Sequence, residues 1–113
     1  MAQTQSSKEN FVDPGTQIAG TATEYVKEGV ATSIDHLLLY NTNTTTEDVV
    51  IYRVVAGGSV TDADIVAKKT VLADEVAVIS FAHNLVLRSA DALALKTDTA
   101  SKVNLQISGR RYL

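Results

Sequence analysis

The sequence predicts an all-β fold: an antiparallel β-sandwich, jelly-roll-like, with about eight strands and an extended N-terminal arm, and an immunoglobulin-like sandwich as the alternative. Three observations carry this expectation. From Thr16 onward, short segments rich in Val, Ile, Thr and Tyr are separated by Gly, Asn, Asp and Ser clusters at intervals of about ten residues. Val103, Leu105 and Ile107 alternate with Asn104, Gln106 and Ser108, the period of two that marks a half-buried strand. No helical stripe is sustained anywhere in the chain.

The elements follow in order. Residues 1–12 are polar until Phe11 and Val12, and Asp13-Pro14-Gly15 is a turn signal, so an arm is expected over 1–12 and a single sandwich domain over 13–113. Strands are expected at Gln17 to Ala22 and at Ile34 to Tyr40. The latter places Ile34, His36, Leu38 and Tyr40 on one face and Asp35, Leu37 and Leu39 on the other. The tract Asn41 to Asp48, NTNTTTED, suits a crossing between strands, because Asn and Thr side chains bond nearby backbone. Val49 to Val55 is apolar on both faces, which marks a central strand or one covered by a partner. Gly57-Gly58 closes it. Thr61 or Asp62 offers an N-cap for a helical turn within Ser59 to Lys68. Further strands are expected at Ile65 to Leu72, Glu75 to Phe81, Asn84 to Arg88, Leu93 to Thr97 and Val103 to Ser108, followed by a short tail, Arg110 to Leu113.

Composition narrows function by exclusion. The chain has 113 residues, 45% of them hydrophobic and 20% charged, enough for one core. It has no cysteine, which removes disulfides, thiolate metal sites and Cys nucleophiles together. A net charge of −3 argues against nucleic acid as a partner, because phosphate binding needs clustered Lys and Arg. The N-terminus has no basic start followed by an apolar stretch, and no run approaches the roughly 20 apolar residues that span a bilayer, so neither secretion nor a membrane partner is expected. Asn43-Thr44-Thr45 is formally a glycosylation sequon, but without a secretory signal it has no route to glycosylation.

Catalytic and metal chemistry finds no pattern to rest on. His36 and His83 have no second ligand at metal spacing. The serines lie outside any G-x-S-x-G elbow. Asp62, Asp64, Asp74 and Glu75 lack the spacing of a calcium loop and suit solvated turns. Gly57-Gly58 is followed by no phosphate-loop motif. The chain is therefore expected not to be an enzyme and to need no cofactor. Arg110, Arg111 and Tyr112 are residue types enriched at interfaces, and together with Phe11 and Val12 they are the expected contact residues.

The run HLLLYNTNTTTEDVVIYRVVAGG, then TVLADEVAVISF, NLVLRSADALAL and KVNLQISG, resembles the small capsid decoration, or cement, proteins of tailed bacteriophages. The likeness covers roughly Ser33 to Gly109; where that pattern often has Gly-Asp, this chain has Ala90-Asp91. The resemblance implies a β-sandwich made in the host cytoplasm and bound to the outer surface of a virion. There this chain, as a homodimer or homotrimer, would cement neighbouring copies of the major capsid protein. The alternative is a receptor- or carbohydrate-binding module of a phage head or tail fibre, which requires an exposed aromatic platform.

Overall fold

The computed structural model describes residues 6–112. Eight strands are present: β1 (Ser6–Gln17), β2 (Thr23–Lys27), β3 (Thr32–Asn41), β4 (Glu47–Val54), β5 (Ile65–Val71), β6 (Val76–Leu87), β7 (Ala92–Thr97) and β8 (Val103–Tyr112). They form two four-stranded sheets, β1-β8-β3-β6 (sheet A) and β2-β7-β4-β5 (sheet B). All the pairings are antiparallel. The first strand pairs with the eighth, the second with the seventh, the third with the sixth and the fourth with the fifth. That nesting is one long antiparallel ribbon, rolled so that β3 meets β8 and β4 meets β7. It is the jelly-roll arrangement, and it decides against the immunoglobulin-like alternative.

The core lies between the sheets and follows the period-two pattern. Leu37 and Leu39 of β3, Val49 and Ile51 of β4, Leu93 and Leu95 of β7, and Val103, Leu105 and Ile107 of β8 have no solvent exposure. Burial of a Val, Leu or Ile side chain contributes about 1.5–3 kcal/mol, so this layer is the principal stabilising term. A second cluster, Tyr52, Val54, Ala92 and Ala94, sits on the outer face of sheet B, with Val60 and Ile65 packed against it. The two-faced apolar character of β4 thus has an internal cause: β4 is central in its sheet, and its own β4–β5 connection covers its outer face. That connection includes a single 3-10 turn, Asp62–Asp64, preceded by Thr61, whose N–H donates to Asp64 Oδ2 at 2.9 Å.

Four differences from the sequence expectations have physical causes. The expected boundary at residue 12 falls inside β1, which pairs with β8 from Ser6 to Gln17 and absorbs the Asp13-Pro14-Gly15 signal as a register shift between Val12 and Thr16. Polar β1 residues disguise a strand because it lies at the sheet edge, with Gly15 at φ 94° inside the irregularity. The expected strand Gln17 to Ala22 is instead the end of β1 and the turn into β2. The strands expected at Glu75 to Phe81 and Asn84 to Arg88 are one strand, β6, with a wide bulge: Ser80 to Leu85 spans the same interval as His36 to Ile34 on β3. The bulge at Asp35 also shifts the face pattern, so Ile34 joins Leu37 and Leu39 in the core.

The C-terminal tail is likewise strand. β8 runs through Gly109 to Tyr112 because Gly109 lets three elements close together. A Cβ there would collide with the carbonyl oxygen of Ser33 and lie 3.0 Å from the Phe11 ring and 3.1 Å from Ile34 Cα. The change Gly109→Ala must therefore push apart β8 and β3, and is expected to cost about 1–3 kcal/mol. Urea unfolding measures it; an unchanged midpoint would show that the three elements have room to spare.

Candidate functional site

The outer face of sheet A presents exposed large apolar side chains, among them Tyr40, Val76 and Val78. Register places its side chains in rows across β8, β3 and β6: Asn104, Tyr40, Val76; then Gln106, Leu38, Val78; then Ser108, His36, Ser80. Strands are about 4.8 Å apart and same-face rows about 7 Å apart, so the pairs Tyr40 with Val76 and Leu38 with Val78 adjoin each other and a polar row. Val76 and Val78 are each 56% exposed and Tyr40 36%. Beside them Gly15, Leu38, Tyr40, Asn104, Leu105 and Gln106 line a depression of about 140 Å³. Asn104 Oδ1 is buried and has no hydrogen-bond partner among the described residues. Tyr40 is fixed by donating its hydroxyl to Asp74 Oδ1 at 2.6 Å, and that bond, with the carboxylate charge, raises the phenol's pKa above its usual value.

The residues expected to make contacts gather where β1, β8 and β3 meet, but most are occupied within the fold. Val12 is a core residue, 6% exposed, and offers no surface to a partner, which corrects its expected role. Phe11 packs half-buried against the core. Arg111 donates through Nε and Nη2 to both carboxylate oxygens of Glu9, at 2.8 and 2.7 Å, and this bond holds the Glu9 carboxyl below its usual pKa. The Tyr112 and Ser33 hydroxyls are 3.3 Å apart. Arg110 is exposed.

The Asn/Thr tract is an internal clasp. Asn41 has no solvent exposure, and its Nδ2 donates to the carbonyls of Thr45, Val71 and Leu72 at 2.9, 3.0 and 3.2 Å. Its Oδ1 accepts from Asn43 N–H. Asn43 in turn donates to Glu47 Oε2, and Glu47 Oε1 accepts from Thr99 N–H at 2.8 Å. The tract therefore ties β3, β4, β5 and the β7–β8 turn at one end of the sandwich. At the other end Asp91 does similar work: it accepts from the N–H groups of Ala56 and Arg88 and from Arg53 Nη2, each at 3.0 Å. Burial opposes its ionisation, yet the two backbone donors and the nearby arginines hold its carboxyl below the usual pKa. The preceding Ala90 adopts φ 66°, the left-handed conformation that suits glycine at this point.

Chemistry is sparse. Ser108 Oγ and His36 Nε2 are 3.0 Å apart across β8 and β3, a nucleophile-and-base distance, but no third side chain orients the imidazole among the bonds of the described residues. The His83 side chain lies outside the described residues. No group of three His, Cys, Asp or Glu side chains among the described residues is placed to hold a metal ion. Tyr40 is the one exposed large aromatic among them, so a sugar-stacking platform is not assembled. Val76 and Val78 fall in the strand expected at Glu75 to Phe81, but Val76 to Ile79 is apolar at every position, so the sequence carries no signal of which face is exposed.

No family model and no curated protein matches the chain. Among solved structures, the fold is similar to a subunit of Bacillus endospore appendages, described as disulfide-linked pili. The TM-score is 0.58 at 17% identity, covering 98% of this chain and 90% of that one. It is also similar to part of a chain of the infectious bursal disease virus particle. There the TM-score is 0.55 at 11% identity, covering 99% of this chain but 31% of that one. Both likenesses concern the fold.

The clasp yields a measurable expectation. Asn41→Ala removes four hydrogen bonds and strands buried carbonyls, so stability should fall by about 2–4 kcal/mol. Thermal or urea unfolding reads it; a loss within experimental error would reduce the tract to solvent-facing turn chemistry.

Proposed function

We propose that the chain is a structural subunit of a larger protein assembly, and specifically that it binds the outer surface of a phage capsid and cements neighbouring major capsid proteins. The observation that carries this reading is the apolar face of sheet A, with exposed Tyr40, Val76 and Val78 and half-buried Leu38 beside a depression that Asn104 helps to line. Contiguous apolar surface of this kind marks interaction sites. Two further supports come from outside the site: similar folds occur in a pilus and in a virus particle, and the sequence resembles decoration proteins.

In this reading the contact rim includes Phe11, Arg110, Arg111 and Tyr112, while Val12 holds the strand that presents them. Arg110 is exposed and makes no ion pair among the described residues, which suits it to an acidic patch on the shell. Cementing follows from linkage: a protein that binds only the intact, expanded shell shifts the balance away from rupture, by about 2.7 kcal/mol per site at a free concentration roughly 100 times Kd. Several such contacts along one shell add through effective concentration.

Cosedimentation with undecorated expanded heads, followed by heat challenge, tests this. The protein is expected to pellet with the heads and raise their rupture temperature, and Arg110→Glu to weaken attachment roughly tenfold, about 1.4 kcal/mol. Failure to bind, or binding with no gain in shell stability, would remove the cement role.

A further inference from the structure

We propose that β6 is a dimerisation edge, pairing antiparallel with β6 of a second copy of this chain across a two-fold axis centred on Val78. A strand at the end of a sheet exposes unpaired N–H and C=O groups, and folded proteins normally blunt such edges with bulges, charges, proline or short length. Sheet A ends in β1 and β6, and sheet B in β2 and β5. β1, β2 and β5 carry such devices, and β6 carries only the bulge that begins after Ser80.

On β1 the register slips twice, between Asn10 and Val12 and between Val12 and Thr16, and Pro14 lacks an N–H altogether. β2 is five residues long, slips between Glu24 and Val26, and exposes Glu24 and Lys27. β5 exposes Lys68 and Lys69 in succession, and its register with β4 slips between Ile51 and Tyr52.

β6 has none of these over Val76 to Ser80. That segment pairs with Tyr40 to His36 in unbroken register, contains no charge, glycine or proline, and exposes Val76 and Val78 at 56% each. Its other side meets no strand among the described residues. The occupant follows by elimination within the chain: the other three edges are blunted against pairing, whereas β6 complements itself. Centring the axis on Val78 sets Val78 against Val78, Ala77 against Ile79 and Val76 against Ser80, all uncharged. Each pairing puts outward residues on the same side. Sheet A becomes one eight-stranded sheet, with the Leu38, Tyr40, Val76 and Val78 patches of both copies meeting over the axis. The bulge after Ser80 ends the pairing on both sides and so fixes the register. The interface is isologous, and the assembly closes at two.

This inference stands on the edge itself and does not require capsid attachment, so it is tested with no shell present. Sedimentation velocity of the full chain over a wide concentration range is expected to show a monomer passing to a dimer. Val78→Lys places two ammonium groups opposite each other at the axis and should weaken that dimer at least tenfold, as like charges facing across strands repel. Because Val78 is exposed, the substituted chain should keep the wild-type circular dichroism and unfolding midpoint. Val66→Lys, at an exposed position on β5, should leave the dimer unchanged. A wild-type chain that stays monomeric at every concentration would overturn the proposal. So would a dimer, or any larger oligomer, that Val78→Lys leaves as strong as before.

Discussion

Every backbone N–H and C=O in a β-sandwich needs a partner, and a sandwich built of two open sheets leaves four strands with half of theirs facing outward. The chain satisfies the interior requirement by nesting its strands as a rolled ribbon, so that each central strand is paired on both sides. What remains is the treatment of the edges. Bulges, lysines and a proline blunt β1, β2 and β5, while Val76 to Ser80 of β6 keeps unbroken register, carries no charge and is apolar as far as Ile79. The outer face of sheet A shares this asymmetry, since its apolar pairs, Tyr40 with Val76 and Leu38 with Val78, end at that same strand. Fold and proposed role meet here, at one edge and the face beside it.

Around this edge the polar groups hold the sandwich shut at both ends. Asn41, Asn43 and Glu47 lock the crossings at one end, and Asp91 with Arg53 locks the other. These side chains act on backbone groups that turns would otherwise leave unpaired inside protein, where each lost partner costs about 1–3 kcal/mol. Arg53 also donates to the Val86 carbonyl, joining sheet B to β6 beyond its bulge. The segment Val76 to Ser80 is thus framed by fixed elements, with Tyr40 anchored on Asp74 beside it.

Much of the architecture was legible in the sequence, for identifiable reasons. Val103 to Ser108 and Val49 to Val55 announced themselves because one-sided or two-sided burial writes a simple period into the residues. The described residues form eight strands, and about eight are expected from the sequence through offsetting differences: β1 and β2 stand where one strand is expected, and β6 where two are. β1 was hidden because an edge strand need not be apolar. The register slip at Asp35 could not be seen, since a bulge changes the facing of residues without changing their identity, and it moved Ile34 into the core. The expected contact residues follow from residue type alone, and type does not show that Val12 lies in the core or that Arg111 and Tyr112 also bond to Glu9 and Ser33. The β6 edge was missed for the opposite reason. Its residues look like core, and only the strand order shows that nothing lies beyond them.

Amide hydrogen exchange of the full-length chain at low and high concentration tests the central claim, that one edge of this sandwich is reserved for pairing. Peptides covering Val76 to Ser80 should gain protection as concentration rises, while those covering Thr23–Lys27 and Ile65–Val71 exchange at unchanged rates. Protection that is independent of concentration at β6, or that rises equally at all four edges, would contradict it.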